Sequence, residues 1–395
     1  MVKQNKVPRL TGRKNNKKYN KNKKNAKVFT VGKIILLTFL SLLLIFVLGL
    51  YLFLKFYRPE INIEIEKPAM ENLWGADELI PEDADIPPLY TIDSMTRKPD
   101  IYTFLILGLH DDGFLTDTII FMSFDTVNKK IGIVNIPRDT YVNSLGYTGK
   151  KFNGVYKSGY NAALRAGKNK NEAVEDGIKA VVRMIKITFG VPVDKYILAD
   201  LNGFKELVDA VGGVDMDVPV RMKYSDPEQN LYIDLQPGLQ HLDGGKAEQL
   251  VRFRGYKLAD IERINTQKKF MAALMKKMMK FDVGQIKKLF EINAKYVTTN
   301  LTAMDTGWFA AQIIDVKQPV KLENIIMHTI PGEEYRAGKE SCYSTYKAEV
   351  MEIINKYYNP YTEDIPENNF NIFEPSRTYA HLADIDGVTM DSLIK

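Results

Sequence analysis

The chain has 395 residues, 45% of them hydrophobic and 26% charged. That ordinary globular composition excludes a small stapled scaffold and wholesale disorder, and at roughly 150 residues per domain it leaves room for two or three units. A single cysteine, Cys342, excludes an internal disulfide, a CxxC redox pair and a cysteine-rich zinc site.

The net charge of +5 is unevenly spread. Residues 1–33 hold twelve Lys/Arg and no Asp/Glu, so the rest of the chain, with 42 basic and 49 acidic groups, carries −7. Residues 34–54, IILLTFLSLLLIFVLGLYLFL, are uncharged and as a helix would span about 31 Å, one bilayer core. A cleaved leader has a shorter apolar run ending in a small-x-small site, and here Lys55, Phe56, Tyr57 and Arg58 follow. An uncleaved, single-pass anchor in the cell membrane is expected, with the basic tail cytoplasmic and everything after it extracellular. Topology and anionic lipid account for the Lys/Asn-rich tail, so no nucleic-acid partner is expected. Residues 55–98, with five prolines and ten Asp/Glu, read as an acidic stalk.

From Asp100 the texture changes. IYTFLILGL, TIIFMSFD and KIGIVNIPRDT read as neighbouring buried strands. Residues 171–189 place Val174, Ile178, Val181, Val182 and Ile185 at helical spacing. Strand-like KYILADL, a short helix over GFKELVDAV and strand-like VDMDVPV continue the alternation. Helices are predicted over 245–251, 260–279 and 285–296, then a strand NIIMHTI and a helix KAEVMEIINKYY. These elements predict an α/β fold, a three-layer α-β-α sandwich over residues 99–361, with 362–395 as a loose acidic tail.

There is no GxxxxGK[ST] phosphate loop, GxGxxG, HExxH or GxSxG. What remains is arginine and aspartate. Arg138 and Asp139 follow Ile136-Pro137, where a strand breaks and polar side chains gather outside a sheet edge. Arg252 and Arg254, in VRFR, would point the same way on an extended backbone. Asp260, Arg263 and Gln267 would share one helix face. The plain alternative for that face is a solvated surface helix with one Asp-Arg pair.

Taken together, the motifs resemble the LytR-CpsA-Psr (LCP) family over about Tyr102 to Tyr361. The matching stretches, in order, are LILGL with Thr116-Asp117-Thr118, IPRDTYV, Lys151-Phe152-Asn153 with Tyr156, GFKELVDAVGGVDMDVP, IDLQPGLQHLDGGKAEQLVRFR, the 260–267 face, and IPGE and NPY. The resemblance implies an LCP-like catalytic domain that transfers a glycopolymer, such as teichoic acid or capsule, from a polyprenyl-pyrophosphate carrier to peptidoglycan. The new link is a phosphodiester, and polyprenyl phosphate leaves. It implies a pyrophosphate site of Arg138, Arg252, Arg254, Arg263 and Gln267, since arginine forks bind such oxygens bidentately. It implies a catalytic set of Arg138, Asp139, Asp260 and Arg263.

A divalent metal is also implied, Mg²⁺ first and Mn²⁺ second, held by Asp117 with Asp111 or His110. The lipid would enter an apolar pocket, whose lining is sought at Val181, Val182, Ile185, Phe204, Leu207 and Val208; each is equally a plain core residue. Three positions depart from the family pattern: His110 replaces an aspartate, and Leu115 and Thr266 each replace an arginine. They leave open a catalytically weakened binding or scaffold protein. A third reading, regulation through the cytoplasmic tail, has only 33 residues and no periodic helix to support it.

Overall fold

The structure, a computed structural model, describes residues 41–45, 48, 49, 52, 56–61, 95–110, 113–142, 147, 149–227, 231–256, 260–293, 295–315, 317–374 and 386–394. The chain divides into two compact units, residues 1–58 and 59–395. In the first, residues 41–45, 48, 49 and 52 are helical, and Leu42, Leu44, Ile45 and Leu48 are exposed. The tail 1–33, most of the expected anchor and residues 62–94 of the stalk lie outside the described residues. Among the described residues no helix is long and apolar enough to cross a membrane.

The second unit is built on a mixed sheet. β1 (Ile101–Leu109), β2 (Thr116–Asp125) and β3 (Lys130–Asn135) form an antiparallel meander of aliphatic and aromatic residues. The Asp125 carboxylate accepts from the Val127 and Asn128 amides and sets the second turn. β4 (Lys195–Ala199) joins β1 in parallel and is followed in sequence by β5 (Val214–Val218), β6 (Met222–Asp226), β7 (Leu231–Leu235) and β8 (Gly238–Leu242). β9 (Val297–Thr299), β10 (Ile325–Thr329), β11 (Gly332–Ala337), β12 (Glu340–Thr345) and β13 (Val388–Thr389) complete the set. The seven-stranded sheet runs β13-β10-β3-β2-β1-β4-β9, and the pairs β5-β8, β6-β7 and β11-β12 stand apart from it. VDMDVPV therefore pairs outside the central sheet, and its alternating burial reflects one covered face.

The helices are α1 (Val155–Arg165), α2 (Lys170–Phe189), α3 (Leu201–Ala210), α4 (Gly244–Arg252), α5 (Asp260–Met278), α6 (Val283–Asn293), α7 (Ala303–Ile313), α8 (Lys347–Tyr357) and α9 (Met390–Leu393). Because strand side chains alternate, one sheet face presents Leu105, Leu107, Ile119, Phe121 and Val134 to a core shared with α1, α2 and α8. The other presents Phe104, Tyr102 and Phe124 to Phe309 of α7, with ring centroids 5.0, 5.0 and 6.3 Å apart. Helices thus cover both faces of a mixed α/β domain. A second core, with Val208, Val214, Leu242, Leu250 and Phe270, unites α3, α4, α5 and the β5-β8 pair.

Local chemistry sets the boundaries. Asn169 caps α2 by accepting from the Asn171 and Glu172 amides, and Glu172 answers from the Asn169 amide, so the helix starts one residue earlier than its apolar period shows. Gly190, at φ 68°, ends it in the left-handed region. Thr302 and Asp305 cap α7 in the same reciprocal way.

The ends of the domain depart from the sequence reading. The last stalk residues belong to the fold: Arg97 bridges to Tyr361, and the Lys98 amide donates to the Pro360 carbonyl at 2.8 Å. Nor is the region after 361 a loose tail where it is described. Ile365 and Phe370 are buried in the α2–α8 core, and β13 pairs with the β10 edge while Met390 is fully buried. Sparse apolar residues in an acidic stretch conceal that each has a specific slot.

Candidate functional site

The site begins where three strands end. β1 stops at Leu109, β2 begins at Thr116 beside it, and β3 runs into Ile136-Pro137. The proline has no amide for a further ladder bond, and the chain turns so that the Thr140 amide and hydroxyl both donate to the Pro137 carbonyl, at 2.9 and 2.6 Å. The turn presents Arg138 and Asp139. Across from it, the His110 amide donates to the Leu115 carbonyl at 2.8 Å and closes the β1–β2 loop, placing His110 beside Asp117.

These side chains form a connected charge cluster. The Arg138 Nη1 donates to Asp117 Oδ1, and the other Asp117 oxygen lies 4.0 Å from His110 Nε2. Arg138 Nε is 3.8 Å from Asp139 Oδ2, and Lys151 Nζ is 3.1 Å from Asp139 Oδ1. All five side chains are 28–40% exposed, so they stand at an open sheet end and can reach a ligand. The backbone beneath is fixed: the Asn153 amide donates to the Arg138 carbonyl and the Tyr343 amide to the Asp139 carbonyl, at 2.9 and 2.8 Å. Burial pushes the Tyr343 phenol well above its usual pKa, and its hydroxyl donates to the Ile330 carbonyl, so it serves as a neutral prop.

A second group is reached through α3. β4 lies parallel to β1, with Ala199 opposite Gly108, so α3 starts at the same sheet end, capped by Asp200. Gly244 lets α4 pack directly on α3: a Cβ there would sit 2.4 Å from the Lys205 carbonyl oxygen. Glu248 of α4 then binds Lys205 at 3.5 Å and Arg252 at 2.8 Å. Gln267 of α5 donates to the Val251 carbonyl at 2.8 Å and joins α5 to that last turn.

The structure therefore brings together His110, Asp117, Arg138 and Asp139 at the strand ends, and Arg252 with Gln267 at the α4–α5 junction. Arg263 lies four residues before Gln267 on α5, half-buried. Arg252 and Arg254 do not alternate along an extended run. Arg252 is the last residue of α4, which Asp243 caps at its start, and the backbone extends only at Phe253, which turns into the core and leaves Arg254 exposed. Asp111 lies outside the described residues, and Asp260 starts α5 with its side chain outside them.

The six residues sought as a lipid pocket divide between two cores: Val181, Val182 and Ile185 are closed in the sheet-face core, whereas Val208 is buried in the second, with Phe204 and Leu207 packed against it. Thr266 is buried and its hydroxyl donates to the Glu262 carbonyl at 2.9 Å, so this position faces the fold.

Two residues were not anticipated in these roles. Lys151, noted in the sequence only as part of a motif, pairs with Asp139. Glu248 holds Arg252, a partnership legible as an i, i+4 spacing. For a metal, the donors present are Asp117 and His110; among the described residues no three His, Cys, Asp or Glu side chains converge. This fits an ion that takes most of its ligands from water and substrate oxygens, and does not fit a closed protein cage.

The comparisons with known proteins identify the family and the fold. The model of the LytR_cpsA_psr family matches residues 87–359. The chain is 30% identical over 257 residues to the polyisoprenyl-teichoic acid-peptidoglycan teichoic acid transferase TagV of Bacillus subtilis, a match spanning 63% of this chain and 61% of TagV. It is 28% identical over 195 residues to the regulatory protein MsrR of Staphylococcus aureus, covering 49% of this chain and 53% of MsrR. The crystal structure of B. subtilis TagV superposes with a TM-score of 0.51 at 25% identity, over 64% of this chain and 94% of that one. The chain thus spans about three fifths and one half of the length of these two relatives, and by the extent of the family match it belongs to the LytR_cpsA_psr family.

Proposed function

We propose that the protein is a membrane-anchored glycopolymer transferase of the cell envelope. The observation that carries the reading is the Asp117–Arg138–Asp139 cluster at an open sheet end, in a chain of the same family as TagV. The donor is a polyprenyl-pyrophosphate-linked glycopolymer and the acceptor a peptidoglycan sugar hydroxyl. The hydroxyl oxygen bonds to the phosphorus next to the glycopolymer, the pyrophosphate P–O bond breaks, polyprenyl phosphate leaves and the hydroxyl proton passes to water.

Arg138, held in orientation by Asp117 and Asp139, binds the non-bridging oxygens through its fork. Arg252, Arg254, Arg263 and Gln267 take the rest of the pyrophosphate, and Asp139, fixed by Lys151, keeps Arg138 in place as charge moves to the leaving phosphate. Asp117 and His110 would hold a divalent ion, with Asp111 as a further ligand; when bound it neutralises charge on the pyrophosphate oxygens. Mn²⁺ suits the imidazole better than Mg²⁺. The anchor sits in the cell membrane, with residues 1–33 cytoplasmic and the α/β domain, in a three-layer α-β-α arrangement, outside.

The test incubates the full-length chain in a neutral detergent with a short polyprenyl-pyrophosphate-linked glycan and uncrosslinked peptidoglycan oligomers, with Mg²⁺ or Mn²⁺ in separate reactions, and reads products by mass spectrometry. A phosphodiester-linked product that disappears in Arg138→Ala supports the reading. A specific observation favours a second one, a slow or inactive binding protein: Thr266 is turned into the fold and Leu115 carries no charge, so two cations of the family pattern are missing. Tight donor binding without product, converted to turnover by His110→Asp, Leu115→Arg and Thr266→Arg together, selects that reading.

A further inference from the structure

The surface beside Asp139 has no part in holding the pyrophosphate. Past Pro137 the chain runs alongside the β11-β12 hairpin. The Tyr343 amide donates to the Asp139 carbonyl and the Tyr141 amide to the Tyr343 carbonyl, at 2.8 and 2.7 Å, with Thr140 opposite Tyr343 in parallel. Side chains alternate across such a ladder. Asp139 and Tyr141, the neighbours of Thr140, therefore share one face with Cys342, the neighbour of Tyr343, and with Tyr335, which pairs with Cys342 across the hairpin.

That face is aromatic. The Tyr141 and Tyr335 ring centroids are 5.5 Å apart, and the Phe373 ring lies 5.2 Å from the first and 5.7 Å from the second. Both tyrosines are partly exposed and Phe373 is 41% exposed. Neither tyrosine hydroxyl has a hydrogen-bond partner among the described residues. The rings join the charge cluster through Lys151, whose backbone bridges to Tyr141 and whose ammonium lies 3.1 Å from Asp139. Phe373 comes from residues past the family match at 87–359, so this chain adds a wall of its own to the face.

Sheet order decides what the face meets. β1, β3, β4 and β10 all end where β2 begins, in the spatial order β10-β3-β2-β1-β4. β4 leads to α3 and through it to Arg252, whereas β3 and β10, on the other side, lead to Arg138 and to the β11-β12 hairpin. Arg138 thus stands between the α4–α5 group and the aromatic face. In phosphoryl transfer the entering and leaving oxygens lie roughly in line on opposite sides of phosphorus. With the leaving phosphate on the Arg252 side, the entering hydroxyl comes from the aromatic side. We propose that Tyr141, Tyr335 and Phe373 form the acceptor subsite and take a pyranose ring of the peptidoglycan glycan strand. The apolar C–H face of an N-acetylhexosamine lies on the rings, and its hydroxyls and amide meet the two phenol hydroxyls. The proposal rests on the transferase reading above and adds to it the residues that select the acceptor.

The experiment titrates a lipid-free, uncrosslinked GlcNAc–MurNAc oligomer against the full-length chain in neutral detergent and reads binding by saturation-transfer NMR. Tyr335→Ala/Phe373→Ala is compared with wild type and with Tyr224→Ala/Tyr232→Ala, which removes two exposed rings of the β6-β7 hairpin. The subsite predicts roughly tenfold weaker binding for the first variant only. Phe373→Ala alone, at an exposed position, should weaken binding about threefold and decides the matter if the double variant does not fold. Where turnover is seen, the acceptor KM rises by the same factor while kcat is nearly unchanged. Unchanged binding means that the rings only pack on one another and overturns the proposal, and equal weakening in the hairpin variant, which means diffuse stacking, does the same. So does weaker binding of a lipid-free donor glycan with oligomer binding retained, which assigns the face to the donor. Ring-dependent oligomer binding in a chain that forms no product keeps the subsite and removes the transferase, and product formation with an unchanged acceptor KM does the reverse.

Discussion

Asp117 joins the two halves of the strand-end cluster, one oxygen bonded to Arg138 and the other facing His110. Because the ion pair is about one-third exposed, it is worth at most about 1 kcal/mol to the fold. Its value lies in aiming the guanidinium. Asp117→Asn should therefore leave the urea midpoint nearly unmoved while transfer falls about a hundredfold or more. Parallel loss of stability and activity would give Asp117 a structural role instead. Arg138→Lys keeps the charge but not the fork, and should lose most of the activity too, measured as initial rate at saturating acceptor.

Arg138 was marked by a strand ending in Ile-Pro-Arg-Asp, whereas Asp117 entered only through the family resemblance of Thr116-Asp117-Thr118. Lys151 was not marked, since nothing in a polar loop shows which lysine folds back onto a carboxylate. The lipid-pocket residues could not be told from plain core for a related reason: Val181 and Val208 have the same pattern whether they line a cavity or fill a core.

Single contacts also decide how elements dock. Lys195 of β4 and Asp305 of α7 are both buried and 3.1 Å apart. Asp305→Asn keeps a cap acceptor but strands a buried ammonium, a loss of about 3–5 kcal/mol expected as a lower midpoint in urea. An unchanged midpoint would mean that water reaches Lys195. Gly190→Ala combines a left-handed φ with a Cβ placed 2.7 Å from Ile365 Cγ2. It should cost about 1–3 kcal/mol and loosen the 362–374 segment, visible as faster amide exchange there.

At this scale the meander, α2, α3, α5, β10 and α8 are all readable from period and caps. α1 is hidden because Gly159 interrupts its pattern, although together with Gly177 of α2 it allows the two helices to approach closely: a Cβ on Gly159 would meet the Ala180 Cβ at 2.6 Å. α7 is hidden because it is apolar nearly all round. The β11-β12 pair is hidden because GEEYRA and ESCYST look like loop.

The domain as a whole is held by a core in which several tyrosines are buried. Burial pushes Tyr156 up to about 12, and Tyr343, Tyr147 and Tyr358 are raised in the same direction by burial. The unfolded chain ionises near pH 10, so this stability is complete below pH 10 and is lost as pH rises toward 12. For Tyr156 alone the loss is about 2 to 3 kcal/mol. Denaturant midpoints should therefore fall steeply from pH 10 to 12. Tyr156→Phe should fall less over that window, and equal slopes would place the ionisation elsewhere.

The two-core architecture gives the whole molecule its working form, with strand ends supplying one charge cluster and the α4–α5 junction a second group of polar side chains. The central claim is that the strand-end cluster performs pyrophosphate-to-phosphodiester transfer. The most direct measurement is ³¹P NMR of a single turnover by the full-length chain, with wild type and Asp117→Asn side by side. The account predicts that the donor pyrophosphate signals give way to one phosphodiester and one phosphomonoester signal with wild type and persist with the folded variant. Equal conversion by both proteins would contradict it.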